Sequence, residues 1–318
     1  GHDGVRPAGE ARLGGSVAMA FGALILAAAL QVAPLTTSKF DGDRAFRWLE
    51  KQVAYGPRVP GTPSHIACRD AVLAETKLHC DTAELQPFTH TWSRTRKPVE
   101  MFNIIGTQNW EKATTRMVLL AHWDTRPSAE EDPNPANRLK AIPGANDGAS
   151  GVAVLLEAMR HLRTSAPKSL GISYLFTDGE DLGPGLNEMF LGATYYSKHL
   201  PKPRPQYGIL LDMIGDKDLE VPIEPNSYAR AKGSTMAFYR HAAKIGLGKT
   251  FPMKFGPEIL DDHLSLNDAG VPTVDLIDFT YPSWHTLNDT PDKCSATSLL
   301  KVGTLIVSFL SQPIPYRL

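Results

Sequence analysis

Cysteine is scarce: Cys68, Cys80 and Cys294 are all that 318 residues carry, an odd number. They do not form a zinc–thiolate set, and a chain of this length needs no disulfide staples to hold a core. Cys68 and Cys80 fall toward the two ends of an expected helix, about 18 Å apart at a helical rise, which is too far to bridge. We read all three as buried structural thiols. A surplus of one charge is missing as well. The formal net charge is −1, which gives no reason to expect nucleic acid, an acidic polymer or a membrane surface as the main partner. No HExxH, Gly-x-Ser-x-Gly or phosphate-binding glycine loop is present, and Gly144 and Gly148 fail the dinucleotide spacing. Internal repeats and low-complexity tracts are likewise lacking. With 42% hydrophobic residues, wholesale disorder is excluded and one large globular domain is expected.

One long apolar run does occur, near the N-terminus. Residues 1–15 are small and polar with Arg6 and Arg12, and Ser16 to Pro34 is almost wholly apolar. Val17 to Leu30 matches the hydrophobic part of a secretory signal. Extension through Val32 to Leu35 makes it just long enough to cross a bilayer at roughly 20 residues. The sequence therefore predicts a signal or membrane-anchor region over 1–37, anchoring in the second case through residues 16–35. It also predicts an exported protein, periplasmic or extracellular, with the inner membrane as the anchoring surface. Residues 38–318 are expected to form a single catalytic domain.

Within that domain, Asp41 is placed to cap a helix running through Phe46, Leu49 and Val53 to Gly56-Pro57. Thr62-Pro63 opens a second, with Ile66, Ala67, Ala71, Ala74 and Leu78 on one face. Glu100 to Thr107, Thr115 to Ala121, Gly171 to Phe176, Tyr207 to Ile214 and Pro272 to Asp278 are short apolar runs that suit buried strands. Ser150 to Leu162, Ser227 to Ile245 and Ser295 to Leu310 read as helices. Such alternation implies an α/β fold with a mostly parallel sheet covered on both sides. Proline-bearing Thr125 to Ala145 reads as a loop over the site, and Gly183 to Leu191 as another.

Ionisable clusters sit where the strands run out, the place where α/β sheets carry their sites. In His122-Trp123-Asp124 the two polar side chains share a face if the segment stays extended, so Asp124 is a candidate brace for the imidazole. Asn146-Asp147-Gly148-Ala149-Ser150-Gly151 is a tight turn into a helix, readable as a cap or as a bridging metal carboxylate. Glu180-Asp181 places two carboxylates side by side, which repel unless a cation neutralises one. One of them is then free to handle protons. Asp212 ends the buried run Gly208 to Leu211, where an unpaired charge is costly, and fits a metal or a proton network. Leu260-Asp261-Asp262-His263 reads equally as a solvated turn, a cap or part of the site. Trp284-His285 joins a wall-forming aromatic to a candidate imidazole ligand, and Asn288-Asp289-Thr290-Pro291-Asp292 reads as ordinary turn chemistry. Mixed imidazole and carboxylate donors favour zinc.

The order His-x-Asp, Asn-Asp-Gly, Glu-Asp, Leu-Asp-Met-Ile-Gly, Asp-Asp-His, Trp-His resembles the M28 family of zinc aminopeptidases. Within that superfamily it resembles the animal-type glutaminyl cyclases and their bacterial branch, from about Phe40 to the C-terminus. Ala121 to Pro127, Gly144 to Gly151 and Tyr207 to Met213 look like the bacterial versions. The resemblance implies a three-layer α/β/α sandwich with a mixed, mainly parallel sheet, in a monomeric bacterial protein. It implies one zinc held by Asp147, Asp181 and His285, Glu180 as acid/base, Asp212 and Asp261 beside it as further catalytic carboxylates, and Trp284 lining the substrate pocket. Animal enzymes have Glu at the position of Asp181 and His at that of Asp275, and a cysteine pair where Ala121 and Val152 stand. Without that bond the loop from Thr125 to Pro143 must be held by packing.

The expected reaction converts the N-terminal glutamine of peptides or proteins to pyroglutamate with release of ammonia. Zinc polarises the side-chain carbonyl and Glu180 moves a proton from the α-amine to the leaving nitrogen. The rival is a two-zinc aminopeptidase in which His122 and Asp212 bind a second metal, Asp147 bridges, and Asp124 supports the imidazole. The ligand types alone do not choose between them. The third carboxylate, Asp261, favours a proton network in place of a second metal.

Overall fold

The computed structural model describes residues 40–313; the expected signal or anchor region lies outside them. The first helix, α1 (Gly42–Ala54), starts where Asp41 accepts a hydrogen bond from Arg44 N, and α2 (Pro63–His79) where Thr62 accepts from His65 N. These caps satisfy amide groups that a helix start leaves open. The hairpin β1 (Thr82–Trp92) and β2 (Lys97–Gln108) follows, then β3 (Thr115–His122), α3 (Gly151–Ser165), β4 (Leu170–Thr177) and α4 (Leu191–Lys198). Next come β5 (Tyr207–Asp212), α5 (Pro225–Arg230), α6 (Lys232–Lys244), α7 (His263–Asp268), β6 (Thr273–Ile277) and α8 (Ala296–Leu310).

The six strands form one sheet in the order β1-β2-β4-β3-β5-β6. The pairs β4/β3, β3/β5 and β5/β6 are parallel, while β1 and β2 run antiparallel at one edge. Along β3, Met117, Leu119 and Ala121 pack into the main core with α1, α3, α6 and α8, whereas Val118 and Leu120 join Ala193 and Tyr196 of α4 and Leu266 of α7. This period of two is what a strand buried on both faces requires. The chain leaves β3 for β4 on one side and later returns to β5 on the other. The ends of β3, β4 and β5 therefore open at the point where the strand order reverses, the crevice in which α/β sheets hold ligands.

Three expectations are corrected here. Ser227 to Ile245 is two helices, broken at Ala231, whose backbone (φ −140°, ψ 48°) leaves the helical region. A strand not anticipated, β1, forms from a half-exposed edge sequence interrupted by Pro87. The loop from Thr125 to Pro143 is held by hydrogen bonds as well as packing. Fully buried Arg58 donates to the carbonyls of Pro143 and Gly144 at 2.7 Å each, and Asp132 accepts from Leu287 N at 2.9 Å. The three cysteines are free and buried.

Candidate active site

Every strand-end cluster of the parallel strands converges on one crevice. His122 closes β3, and the turn Ala145–Ser150 brings Asp147 against it: His122 Nε2 lies 2.9 Å from Asp147 Oδ1. Glu180 and Asp181 follow β4, Asp212 closes β5, and His285 comes from the loop after β6. His285 Nε2 lies 3.0 Å from Asp181 Oδ2 and 3.3 Å from Asp147 Oδ2. Asp147, Asp181 and His285, all buried, each bring one ligand atom within 4.8 Å of the others. The same holds for His122, Asp147 and Glu180, and for Glu180, Asp212 and Asp261.

Electrostatics divide these groups by role. Burial pushes Glu180 up, and Asp181 and Asp212 push it further, so that despite His122 its carboxyl stands well above the ordinary range. Burial, then Asp275 and Asp212, do the same to Asp261. Burial would lower the His285 imidazole, but Asp181 and Asp147 outweigh it and raise it to about 12. A pocket that holds a proton this firmly between two carboxylates has the negative potential and the donor set that a divalent cation satisfies. His285 is also held with φ 50°, in the left-handed region uncommon outside glycine, as is Met213 with φ 46°. Strained backbone at both sides of the crevice fits a site that fixes its side chains.

Supporting residues hold the donors in place. Asp124 accepts from the backbone N–H groups of Glu180 (3.2 Å) and Asp181 (3.1 Å), so its carboxylate fixes the acidic turn. Toward His122 it offers mainly its carbonyl, 3.1 Å from Nδ1, with the carboxylate at 3.4 Å. Arg126 donates to Asp181 Oδ1 at 3.2 Å. Asp289, fully buried, accepts from Asn146 N, Asp147 N and the Tyr281 hydroxyl at 2.8, 3.1 and 2.8 Å. Arg126 and Asp289 are missed by the sequence reading, and nothing in their local composition marks them. Asp261, given a catalytic place by the resemblance, and Asp262 and His263, whose spacing left a turn or cap open, are all buried.

Trp284 stacks on the His285 imidazole, with ring centroids 4.0 Å apart, and leans on Phe279 at 4.9 Å. With Met189, Met213, Ile259 and Ile277 they wall a cleft of about 240 Å³ whose floor is carboxylate. Apolar walls over a few convergent polar groups suit a small side chain that must be oriented.

The sequence profile of peptidase family M28 matches residues 103–310. A solved leucine aminopeptidase precursor from Bacteroides thetaiotaomicron is 34% identical, with a TM-score of 0.83 over 87% of this chain and 99% of that one. A glutaminyl cyclase from Bacteroides thetaiotaomicron, solved with N-acetylhistamine, is 33% identical, with a TM-score of 0.82 and the same coverage. The glutaminyl-peptide cyclotransferase of Bos taurus is 26% identical over 293 residues, 80% of this chain and 77% of its own length.

Proposed function

Because the chain belongs to peptidase family M28, we propose that it works as a glutaminyl-peptide cyclotransferase, closing the N-terminal glutamine of peptides or proteins to pyroglutamate. The observation that carries this reading is the cluster of Glu180, Asp212 and Asp261, three buried carboxylates whose oxygens come together beside the Asp147–Asp181–His285 donors. Two of the three sit well above the usual carboxyl range. Such a set shares protons, and its place beside the Asp147–Asp181–His285 donors is where proton transfer during cyclisation is needed.

Zinc is the fitting ion for Asp147, Asp181 and His285, and when bound it supplies a Lewis acid for the glutamine side-chain carbonyl. The cleft under Trp284 holds the glutamine side chain folded back toward its own α-amine. Intramolecular attack makes that orientation a large part of the catalysis. The amine nitrogen bonds to the side-chain carbonyl carbon, Cδ, the bond from that carbon to the side-chain nitrogen breaks, and ammonia leaves. Glu180 accepts the amine proton and passes it to the departing nitrogen. Asp212 and Asp261 hold Glu180 in place, and Asp124 and Asp289 fix the segments that carry it and Asp147. Residues 1–37 precede this domain as an export signal or anchor in the same reading, which makes the substrates those of the periplasm or the exterior; cell fractionation checks this.

The aminopeptidase reading draws on the second donor group, His122, Asp147 and Glu180, with Asp212 3.3 Å from His122. Purified protein given Gln-initiated dipeptides and Leu-amides, with ammonia and free leucine followed separately, divides the two. Ammonia without leucine supports the cyclase. Leucine release with two zinc ions per chain overturns it. Glu180→Gln should keep zinc and lose at least about a hundredfold in kcat, the scale of a general acid/base. Loss of zinc in that variant would make Glu180 a ligand.

A further inference from the structure

The buried charges do not end at Asp261. Glu224, 2% exposed, caps α5 by accepting from Asn226 N at 2.9 Å and Ser227 N at 2.7 Å. It also accepts from the Ser227 hydroxyl at 2.7 Å and Ile259 N at 3.2 Å, and lies 3.0 Å from His263 Nε2. Burial opposes its ionisation, but the His263 ring and the Asn226 amide outweigh that and hold the carboxyl at about 2. A fixed anion on one side favours the imidazolium form of His263: burial lowers the ring, yet Asp275 and Glu224 bring it above its ordinary value. The other ring nitrogen, Nδ1, lies 3.5 Å from Asp275 Oδ2.

Asp275 is fully buried on β6, and neither carboxylate oxygen has a hydrogen bond. Burial pushes it up to about 7, the charge of His263 eases it, and Asp212 pushes it further up. Asp261 in turn reaches the oxygens of Glu180 and Asp212. Contacts thus run from Glu224 through His263 to Asp275, and the charge of Asp275 bears more than any other on Asp261, which reaches Glu180 in turn. The charged groups facing His263 are Glu224 from the start of α5, Asp275 from β6 and Asp262 from the start of its own helix. A line of buried carboxylates with one imidazole needs that imidazole's charge, since a buried anion without a cation or hydrogen bonds is costly.

We propose that the Glu224–His263 pair is a positioning device for the reaction: its imidazolium fixes Asp275, Asp275 holds Asp261, and Asp261 sets the place of the Glu180 carboxylate. His263 touches neither the cleft nor a proposed zinc ligand, so it acts only through its neighbours. The inference rests on Glu180 as acid/base, which the cyclase and peptidase readings share.

His263→Gln keeps a donor for Glu224 and removes the charge. It should lower kcat at least about tenfold while KM stays within about twofold and bound zinc is unchanged. Asp275→Asn alone should also lower kcat. The double variant, which replaces the ion pair with two amides, should recover most of the loss, because residues that act as a unit are not additive. An unchanged kcat in His263→Gln overturns the proposal. So does a double variant no better than the worse single one, with kcat tracking melting temperature, since that is what simple packing would give. Should His263→Gln not accumulate, Glu224→Gln, which retains an acceptor for the α5 amides, is read in the same way. Proton NMR of the unmodified protein gives a readout free of turnover: the His263 ring signal should hold the imidazolium position at neutral pH, and a neutral ring overturns the proposal. Ammonia release by the unmodified protein tests the cyclase reading. Ratios of variant to unmodified rate, on whichever substrate is turned over, test His263, so the two failures are separable.

Discussion

Asp289 illustrates how one residue fixes a site it does not enter. Its carboxylate is fully buried and takes both N–H groups at the start of the Asn146-Asp147 turn, 143 and 142 residues away in sequence. Burial, then the nearby Asp147, push it up to about 7, which the hydrogen bonds only partly offset. Asp289→Asn presents an amide N–H to one of those donors, leaving a buried donor without an acceptor at a cost of about 1–3 kcal/mol. Because the turn carries Asp147, zinc affinity should fall by about 10–100-fold, the usual consequence of disturbing a ligand's support. Competition with a chromophoric chelator measures it; an unchanged affinity would mean the turn holds without Asp289. Residues such as Glu180, Asp181 and Asp212 are legible in the sequence because a carboxylate at the end of an apolar strand is costly unless it is used. Asp289 is not, since Asn-Asp-Thr-Pro is also what an ordinary turn contains, and only the fold brings it to Asp147.

At the scale of elements, the crevice depends on how closely the turn after the long loop meets the strand ends. A side-chain carbon at Gly148 would sit 2.5 Å from the His122 carbonyl oxygen and 2.6 Å from its ring, and one at Gly151 2.4 Å from the Leu211 carbonyl oxygen. Neither carbonyl can swing aside, because His122 is paired with Thr177 of β4 and Leu211 with Leu276 of β6. Gly148→Ala should therefore push Asp147 away from His122, destabilise the fold by about 1–3 kcal/mol, as overpacking does, and weaken zinc binding. Urea unfolding and metal titration read the two effects, and an alanine variant with both intact would show the turn has slack. The central strands and α1, α2, α3 and α8 are legible, since apolar runs, caps and a period near 3.6 all agree there. The elements that escape the reading are those whose stability is tertiary. Edge strand β1 is held by its full register with β2, and the short helices α4 and α7 are too brief for periodicity and are stabilised by packing on one another and on the sheet.

For the whole molecule, the candidate ligands tie together segments around residues 147, 181 and 285, so a bound ion acts as a cross-link across the domain. Chelation should lower the melting temperature. At free zinc a thousand times its dissociation constant the ion contributes about 4 kcal/mol, which for a domain of this size corresponds to about 7 °C. The pH dependence of the metal-free protein follows from carboxyls that the ion does not touch. Asp262 and Asp275, both buried, stand at about 7 in the folded chain against 3.8 when free. The folded form therefore binds more protons than the unfolded one between those values, and stability falls as pH rises from about 4 to about 7. Above that window the penalty is present in full; below it, it is absent. Proton competition for Asp147, Asp181 and His285 works in the other direction, because zinc binding releases protons and strengthens as pH rises. The chelated protein should thus melt higher at pH 6 than at pH 8, and zinc should narrow or reverse that order. Calorimetry at the two pH values, with and without zinc, tests both signs, and a chelated protein more stable at pH 8 would show that Asp262 and Asp275 are ionised without cost in the fold.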